Sequence, residues 1–333
     1  MFTIAEIGQA HEGSLGIAHS YIDALAKTGV DAIKWQMHIA NAESSLEEPF
    51  RINFSYEDYS RMEYWRRMEF TKDQWISLKN HSEQLGIEFI CSPFSNTAVE
   101  ILEDIGVNRY KIGSGEVSNF LMLERIAKTG KEVLLSSGMS SYSELDKAVE
   151  MIQSYGAPLS IFQCTTAYPT NPKNWGLNVI NELKNRYKVP VGFSDHSGDI
   201  YACLAATTLG AELLEFHVVF DKRMFGPDSE SSLTINETSK LIKGIKDIRK
   251  ALEHHVDKSD NSEYDNLKAI FEKSLAVNKN VCKGQVLTFN DLEAKKPKGQ
   301  GISAHLFKEV LGKKLTKDLA QWAFLTKDCL EDE

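Results

Sequence analysis

A chain of 333 residues with 42% hydrophobic and 26% charged side chains is long enough for one large α/β barrel and a small further domain. It has no apolar run near the ~18 residues that a membrane helix needs, and its net charge of −9 disfavours nucleic acid, which needs a basic face. Five cysteines (Cys91, Cys164, Cys203, Cys282, Cys329), odd in number and without a CxxC pair, speak against a disulfide framework or a zinc knuckle and read as small core residues.

The chain enters a strand-like run directly after Met1, with no signal-peptide pattern, so a cytoplasmic protein is expected. Short β-branched or apolar runs then recur eight times before residue 220, at 2–7, 32–37, 87–91, 109–112, 132–136, 159–163, 189–193 and 213–218. Helical patterns fall between them at 19–27, 72–85, 98–103, 120–129, 143–155, 177–187 and 200–208. Such alternation predicts a parallel (β/α)8 TIM barrel with its active site at the carboxyl ends of the strands; a doubly wound open sheet is the alternative.

After the second strand, residues 41–68 insert an acidic and aromatic segment with Glu43, Glu47, Glu48, Tyr56, Tyr59, Tyr64 and Trp65. Long βα loops often cover a barrel's site, and a purely structural excursion is the other reading. Beyond an amphipathic helix near 240–252 the chain turns polar and aperiodic, which places a boundary there. The expected domains are a barrel over 1–253, a linker over 254–272 and a compact β-rich unit over 273–333.

Polar residues gather at the carboxyl ends of the predicted strands: Lys34 and Gln36, Ser92, then Lys111 with Ser114 and Glu116, then Ser136 and Ser137. Thr165, Thr166 and Tyr168 follow the sixth strand, Ser194, Asp195 and His196 the seventh, and Glu215 and His217 lie in the eighth. Burying so many unpaired polar groups costs several kcal/mol each, whereas one shared polar cavity removes that cost. Two lysines among hydroxyls suit the phosphate and carboxylate of a small dianion, and a lysine Schiff base is the competing use.

His196 and His217 can place two imidazoles on one divalent ion, with Asp195 and Glu215 as orienters. Water and substrate oxygens would complete the shell, a set that suits manganese, magnesium or cobalt better than closed structural zinc. Glu12, on a Gly-containing loop before a helix, reads as a sugar-hydroxyl acceptor or proton shuttle, or else as a helix N-terminal charge. The loop lacks the ending of a nucleotide-binding P-loop.

The motifs IAEIGQAHEGSLG, KWQMH (34–38), FICSPF (89–94), YKIGSGE (110–116), LLSSGM (134–139), CTTAYPT (164–170), GFSDHSGD (192–199), LEFHVVFD (214–221) and GPDSESSL (226–233) run through the chain in this order. With them the chain resembles the bacterial sialic acid synthase family, which includes legionaminic and pseudaminic acid synthases. Its tail resembles the antifreeze-like (SAF, β-clip) cap of those enzymes.

The resemblance implies condensation of phosphoenolpyruvate with an N-acylated amino-sugar aldehyde, N-acetylmannosamine or a related diacetamido hexose, plus water. The products are a sialic-like nonulosonic acid and phosphate. It implies phosphoenolpyruvate contacts from Lys34, Ser92, Lys111, Ser114, Ser136, Thr166 and Ser194, and a divalent metal, manganese foremost, on His196 and His217. Gln36, Tyr168, Asp228 and Lys296 fall at sugar-binding positions, and Glu12, Glu116, Glu215 and Tyr168 at catalytic ones. It also implies a homodimer whose caps reach over the partner's site.

Two departures stand out: Thr166 replaces a usual Asn, and KKPKGQG puts Lys296 where the family carries an arginine, with Lys298 apparently inserted. Lysine lacks arginine's bidentate fork, so acyl recognition is expected to differ. The competing functions are a Schiff-base pyruvate aldolase and a non-catalytic carbohydrate-binding protein.

Overall fold

The computed structural model describes residues 1–331. Eight parallel strands, β1 (Phe2–Gly8), β2 (Ala32–Met37), β3 (Glu88–Pro93), β4 (Arg109–Ile112), β5 (Glu132–Ser136), β6 (Leu159–Cys164), β7 (Val191–Asp195) and β8 (Leu213–Val219), follow one another in sequence order. β1 pairs with β2 on one side and with β8 on the other, so the sheet closes into a TIM barrel and the open-sheet alternative is excluded. A two-residue strand, β9 (Leu233–Thr234), adds to the end of β8.

The helices between the strands are α1 (Leu15–Leu25), α2 (Ala40–Glu43), α3 (Arg61–Met68), α4 (Lys72–Gln84), α5 (Asn96–Ile105), α6 (Phe120–Ala127), α7 (Tyr142–Ser154), α8 (Leu177–Tyr187) and α9 (Tyr201–Thr208), with α10 (Ile235–Glu253) closing the ring. α1 begins four residues before the predicted start because the Ser14 hydroxyl accepts from the Ile17 N–H and caps it there. Reciprocal capping boxes start α4, α7 and α10 at Thr71, Ser141 and Thr234. Their inner faces pack on the outward residues of the strands, in a core that includes Trp35, Trp75, Tyr110 and Phe193.

The barrel interior is layered by the two-residue period of a strand. Ile4, Ala32, Ile90, Leu134, Phe162 and Leu213 form an apolar plug of their own. Two residues further along the same strands stand Glu6, Lys34, Ser92, Ser136, Cys164 and Glu215, all buried. The chemistry therefore begins one side-chain layer above the plug, towards the strands' carboxyl ends.

Residues 41–68 are not featureless: α2 and α3 enclose a small core of Ala40, Tyr64, Trp65 and Met68, against which Phe50, Phe54 and Met62 pack. The chain divides into two compact units, Met1–His254 and His255–Glu333. Within the second, α11 (Asp265–Phe271) is helical where an irregular linker was expected, and β10 (Ser274–Val277) pairs antiparallel with β11 (Leu292–Lys295). Leu275, Val277, Leu287, Leu315 and Leu325 belong to this unit's separate core. Among the described residues no helix is long and apolar enough to cross a membrane.

Gly13 ties the first βα loop to the end of α3. Its φ of +74° is left-handed, and a Cβ there would lie 2.2 Å from the Arg67 carbonyl oxygen. Gly86 has nearly the same φ, +76°, but open space around it. Gly13→Ala is therefore expected to lose about 3 kcal/mol or more in urea unfolding and Gly86→Ala only about 1 kcal/mol, backbone strain alone. Equal losses would contradict the packing argument.

Candidate active site

Four buried charges sit on the apolar plug. Lys34 Nζ lies 2.9 Å from Glu6 Oε2 and 3.5 Å from Glu215 Oε1, and Lys111 Nζ is also 3.5 Å from Glu215 Oε1. Strand register brings them together: Glu6 is level with Lys34 on β2 and with His217 on β8, and Ser194 is level with Glu215. Hydroxyls finish the layer. Lys34 donates to Ser92 (3.4 Å), Lys111 donates to Ser136, and Ser194 donates to Glu215 Oε1 (3.1 Å).

The two lysines are not electrically equivalent. Burial alone would favour loss of the Lys34 proton, but Glu215 and Glu6 outweigh it and hold the ammonium above the ordinary lysine range. Lys111, attracted by Glu215 and opposed by Lys34 as a like charge, is lowered by burial. Burial pushes the Glu215 carboxyl up, yet Lys111 and Lys34 override this and keep it well below the usual carboxylate range. Glu215 Oε2 is buried and accepts no hydrogen bond among the described residues, so it is free to meet a donor or a cation.

Above this floor His196 and His217 face one another, with ring centroids 5.3 Å apart at 63°. His196 Nδ1 is bonded to the Thr165 carbonyl oxygen at 2.8 Å, so Nδ1 carries the proton and Nε2 keeps its lone pair. Burial, then His217, lowers the His196 pKa to about 3, so the ring is neutral near pH 7 and fit to ligate. Among the described residues no group of three or more His, Cys, Asp or Glu side chains forms a metal cage. The two facing imidazoles, with the His196 Nε2 lone pair free, are the donors that would hold a divalent ion and leave its other positions open.

A cavity of about 60 Å³ lies over the floor and a chamber of about 370 Å³ beyond it; Gln36, Phe94, Ser114, Tyr168 and His217 line both. Tyr168 stacks on His196 at 4.2 Å and meets His217 edge-on at 5.9 Å. Gln36 is held rigidly: its Nε2 donates to Glu6 Oε1 at 2.6 Å, and its Oε1 accepts from Gln9. Glu116 lies on the chamber wall, its carboxyl raised by burial although Asn119 donates to it at 2.8 Å.

The structure thus brings together Lys34, Gln36, Ser92, Lys111, Ser114, Ser136, Tyr168, Ser194, His196, Glu215 and His217 at the inner cavity. Thr166, Glu116 and Asp228 line the outer chamber instead. Glu12 lines neither: it sits at a small recess beside the chamber, with a φ of +49° and Oε2 2.7 Å from Arg67 Nη1. Lys296 belongs to the second unit, where its ammonium lies 4.9 Å from the Phe271 ring centre.

Several site residues escaped the sequence reading. Glu6 looks like an ordinary interior strand residue; its place two before Gly8 on the first strand was the available signal. His38, within KWQMH, is sandwiched between Trp65 (3.7 Å) and Phe94 (4.4 Å) and bonded to Glu43 at 2.6 Å. Arg51 and Arg61 come from the 41–68 segment, which therefore lines the chamber and is more than an excursion.

Comparison with known proteins finds relatives over most of the chain. The NeuB family model matches residues 21–257. The N,N'-diacetyllegionaminic acid synthase of Campylobacter jejuni is 34% identical over 321 residues, 95% of this chain and 96% of that protein. The human N-acetylneuraminate-9-phosphate synthase is 34% identical over 75% of this chain and 71% of its own length. A crystal structure of N-acetylneuraminic acid synthetase from Leptospira borgpetersenii, in complex with citrate, superimposes with a TM-score of 0.71 at 34% identity, covering 80% of this chain and 90% of that one.

The floor makes a stability prediction. Glu215→Leu strands two buried ammonium groups on one carboxylate and is expected to cost about 3–5 kcal/mol in urea unfolding. Lys111→Met added to it leaves the Lys34–Glu6 pair intact and should recover much of that loss. Simple additivity of the two losses would show that the charges are not coupled.

Proposed function

Because the chain belongs to the NeuB family, we propose that it condenses phosphoenolpyruvate with an N-acylated amino-sugar aldehyde and water to give a sialic-like nonulosonic acid and phosphate. The observation that carries this reading is the buried Lys34–Lys111 floor with its three bonded serines, opening into a chamber lined for a sugar.

In this reading phosphoenolpyruvate lies over the floor, its phosphate and carboxylate taking hydrogen bonds from Lys34, Lys111 and the hydroxyls of Ser92, Ser114, Ser136 and Ser194. Ammonium groups fixed beforehand in a dry site stabilise the leaving phosphate without reorganising. The acceptor aldehyde enters from the chamber, oriented by the locked Gln36 amide and the Tyr168 ring. C3 of phosphoenolpyruvate bonds to the aldehyde carbon, water adds at C2, and the C2–O bond to phosphate breaks. Glu116, with its raised carboxyl, is suited to hold or move a proton at the chamber wall. Ion pairing of both lysines with carboxylates favours point charges over a Schiff base.

His196 and His217 would hold the divalent ion, which when bound supplies a Lewis acid for the aldehyde oxygen and is most simply manganese. Thr166 lines the chamber, and in this reading it would meet the acceptor rather than the floor. A homodimer and a capping role for the second unit with Lys296 complete the reading.

The test is inorganic phosphate release from phosphoenolpyruvate with manganese across a panel of N-acylated hexosamines, with product masses determined. Release with at least one acceptor, abolished by EDTA and restored by manganese, is expected. No release with any acceptor, or EDTA-insensitive turnover, would contradict the proposal.

A further inference from the structure

The outer chamber carries more negative than positive side chains. Glu43, Glu48, Glu116 and Asp228 line it against Arg51 and Arg61. Arg61 is spent within the wall, its Nε 3.4 Å from Glu48 and its guanidinium 4.2 Å from the Trp65 ring centre.

Arg51 differs. Its guanidinium lies 4.2 Å from the Tyr168 ring centre, and Nη2 donates to Asp228 Oδ1 at 2.7 Å and to the Pro227 carbonyl at 3.4 Å. Among the described residues nothing accepts from its Nε or Nη1, and its side chain is 39% exposed. A planar fork clamped by an aromatic face and a carboxylate, with donors left over at a chamber wall, is prepared for a further oxygen.

We infer that Arg51 is an acceptor-binding, specificity-determining residue, donating to an uncharged oxygen of the sugar, and that the acceptor carries no phosphate. This rests on the function proposed above. The charge of Arg51 is already balanced by Asp228, and a phosphate dianion would enter a wall where carboxylates outnumber guanidiniums two to one. A neutral hydroxyl or amide carbonyl accepts the free N–H groups without needing excess positive charge. Among the relatives, one is named for a 9-phosphate product and another for an acid without phosphate in its name.

The test compares N-acetylmannosamine, a diacetamido hexose and N-acetylmannosamine 6-phosphate as acceptors, with phosphoenolpyruvate and manganese, for the wild type, Arg51→Gln and Arg51→Lys. The unphosphorylated acceptors are expected to exceed the 6-phosphate by about 100-fold or more in kcat/KM. Arg51→Gln should raise the acceptor KM about tenfold while the phosphoenolpyruvate KM stays within about twofold, and Arg51→Lys should not restore it, lacking the fork. Preference for the 6-phosphate, an unchanged acceptor KM in Arg51→Gln, or an equal rise in both KM values would each overturn the inference and leave the reaction standing. Phosphate release with none of the three, and with no member of the wider panel of N-acylated hexosamines, would overturn the reaction itself and this inference with it.

Discussion

The buried cluster of Lys34, Lys111, Glu6 and Glu215 is the constraint on which the rest of the structure turns. Two ammonium groups and two carboxylates balance, which lets them survive inside a barrel where one unpaired charge would cost several kcal/mol. The balance is local and uneven. Lys34 is shared by two carboxylates, Lys111 leans on one, and among the described residues nothing donates to the second Glu215 oxygen. Such a cluster stores unmet hydrogen-bonding capacity at one spot, the floor of the cavity over which the two imidazoles stand.

Position follows from the strand period. An apolar residue on the plug and a polar residue two steps later point the same way, so Ile4 leads to Glu6, Ala32 to Lys34 and Gln36, and Leu213 to Glu215 and His217. This is why the barrel and most of the floor are legible in the sequence: polar residues inside apolar runs at carboxyl ends have few other uses. Glu6 obeys the same rule, two residues after Ile4, and its place just before Gly8 at the end of the first strand was the one signal that could have found it. The rule does not reach Arg51 and His38, whose places depend on how residues 41–68 fold on their own aromatic core.

Glu12 and Thr166 show the other limit. Motif neighbours were grouped by sequence, but the positive φ at Glu12 and its bond to Arg67 turn that carboxylate to a recess beside the chamber. Thr166, two residues beyond the end of β6, has already left the floor for the outer wall. Loop geometry, unlike strand period, is decided by contacts distant in sequence.

In the proposed reaction the floor holds phosphoenolpyruvate while its carbon–oxygen bond to phosphate breaks. The direct measurement uses phosphoenolpyruvate labelled with oxygen-18 at the bridging position, turned over with an accepted amino sugar, followed by mass analysis of both products. The label is expected in the released phosphate, because water supplies the oxygen at C2. Label retained in the sugar acid would mean that the phosphorus–oxygen bond breaks instead, and would contradict the proposed reaction.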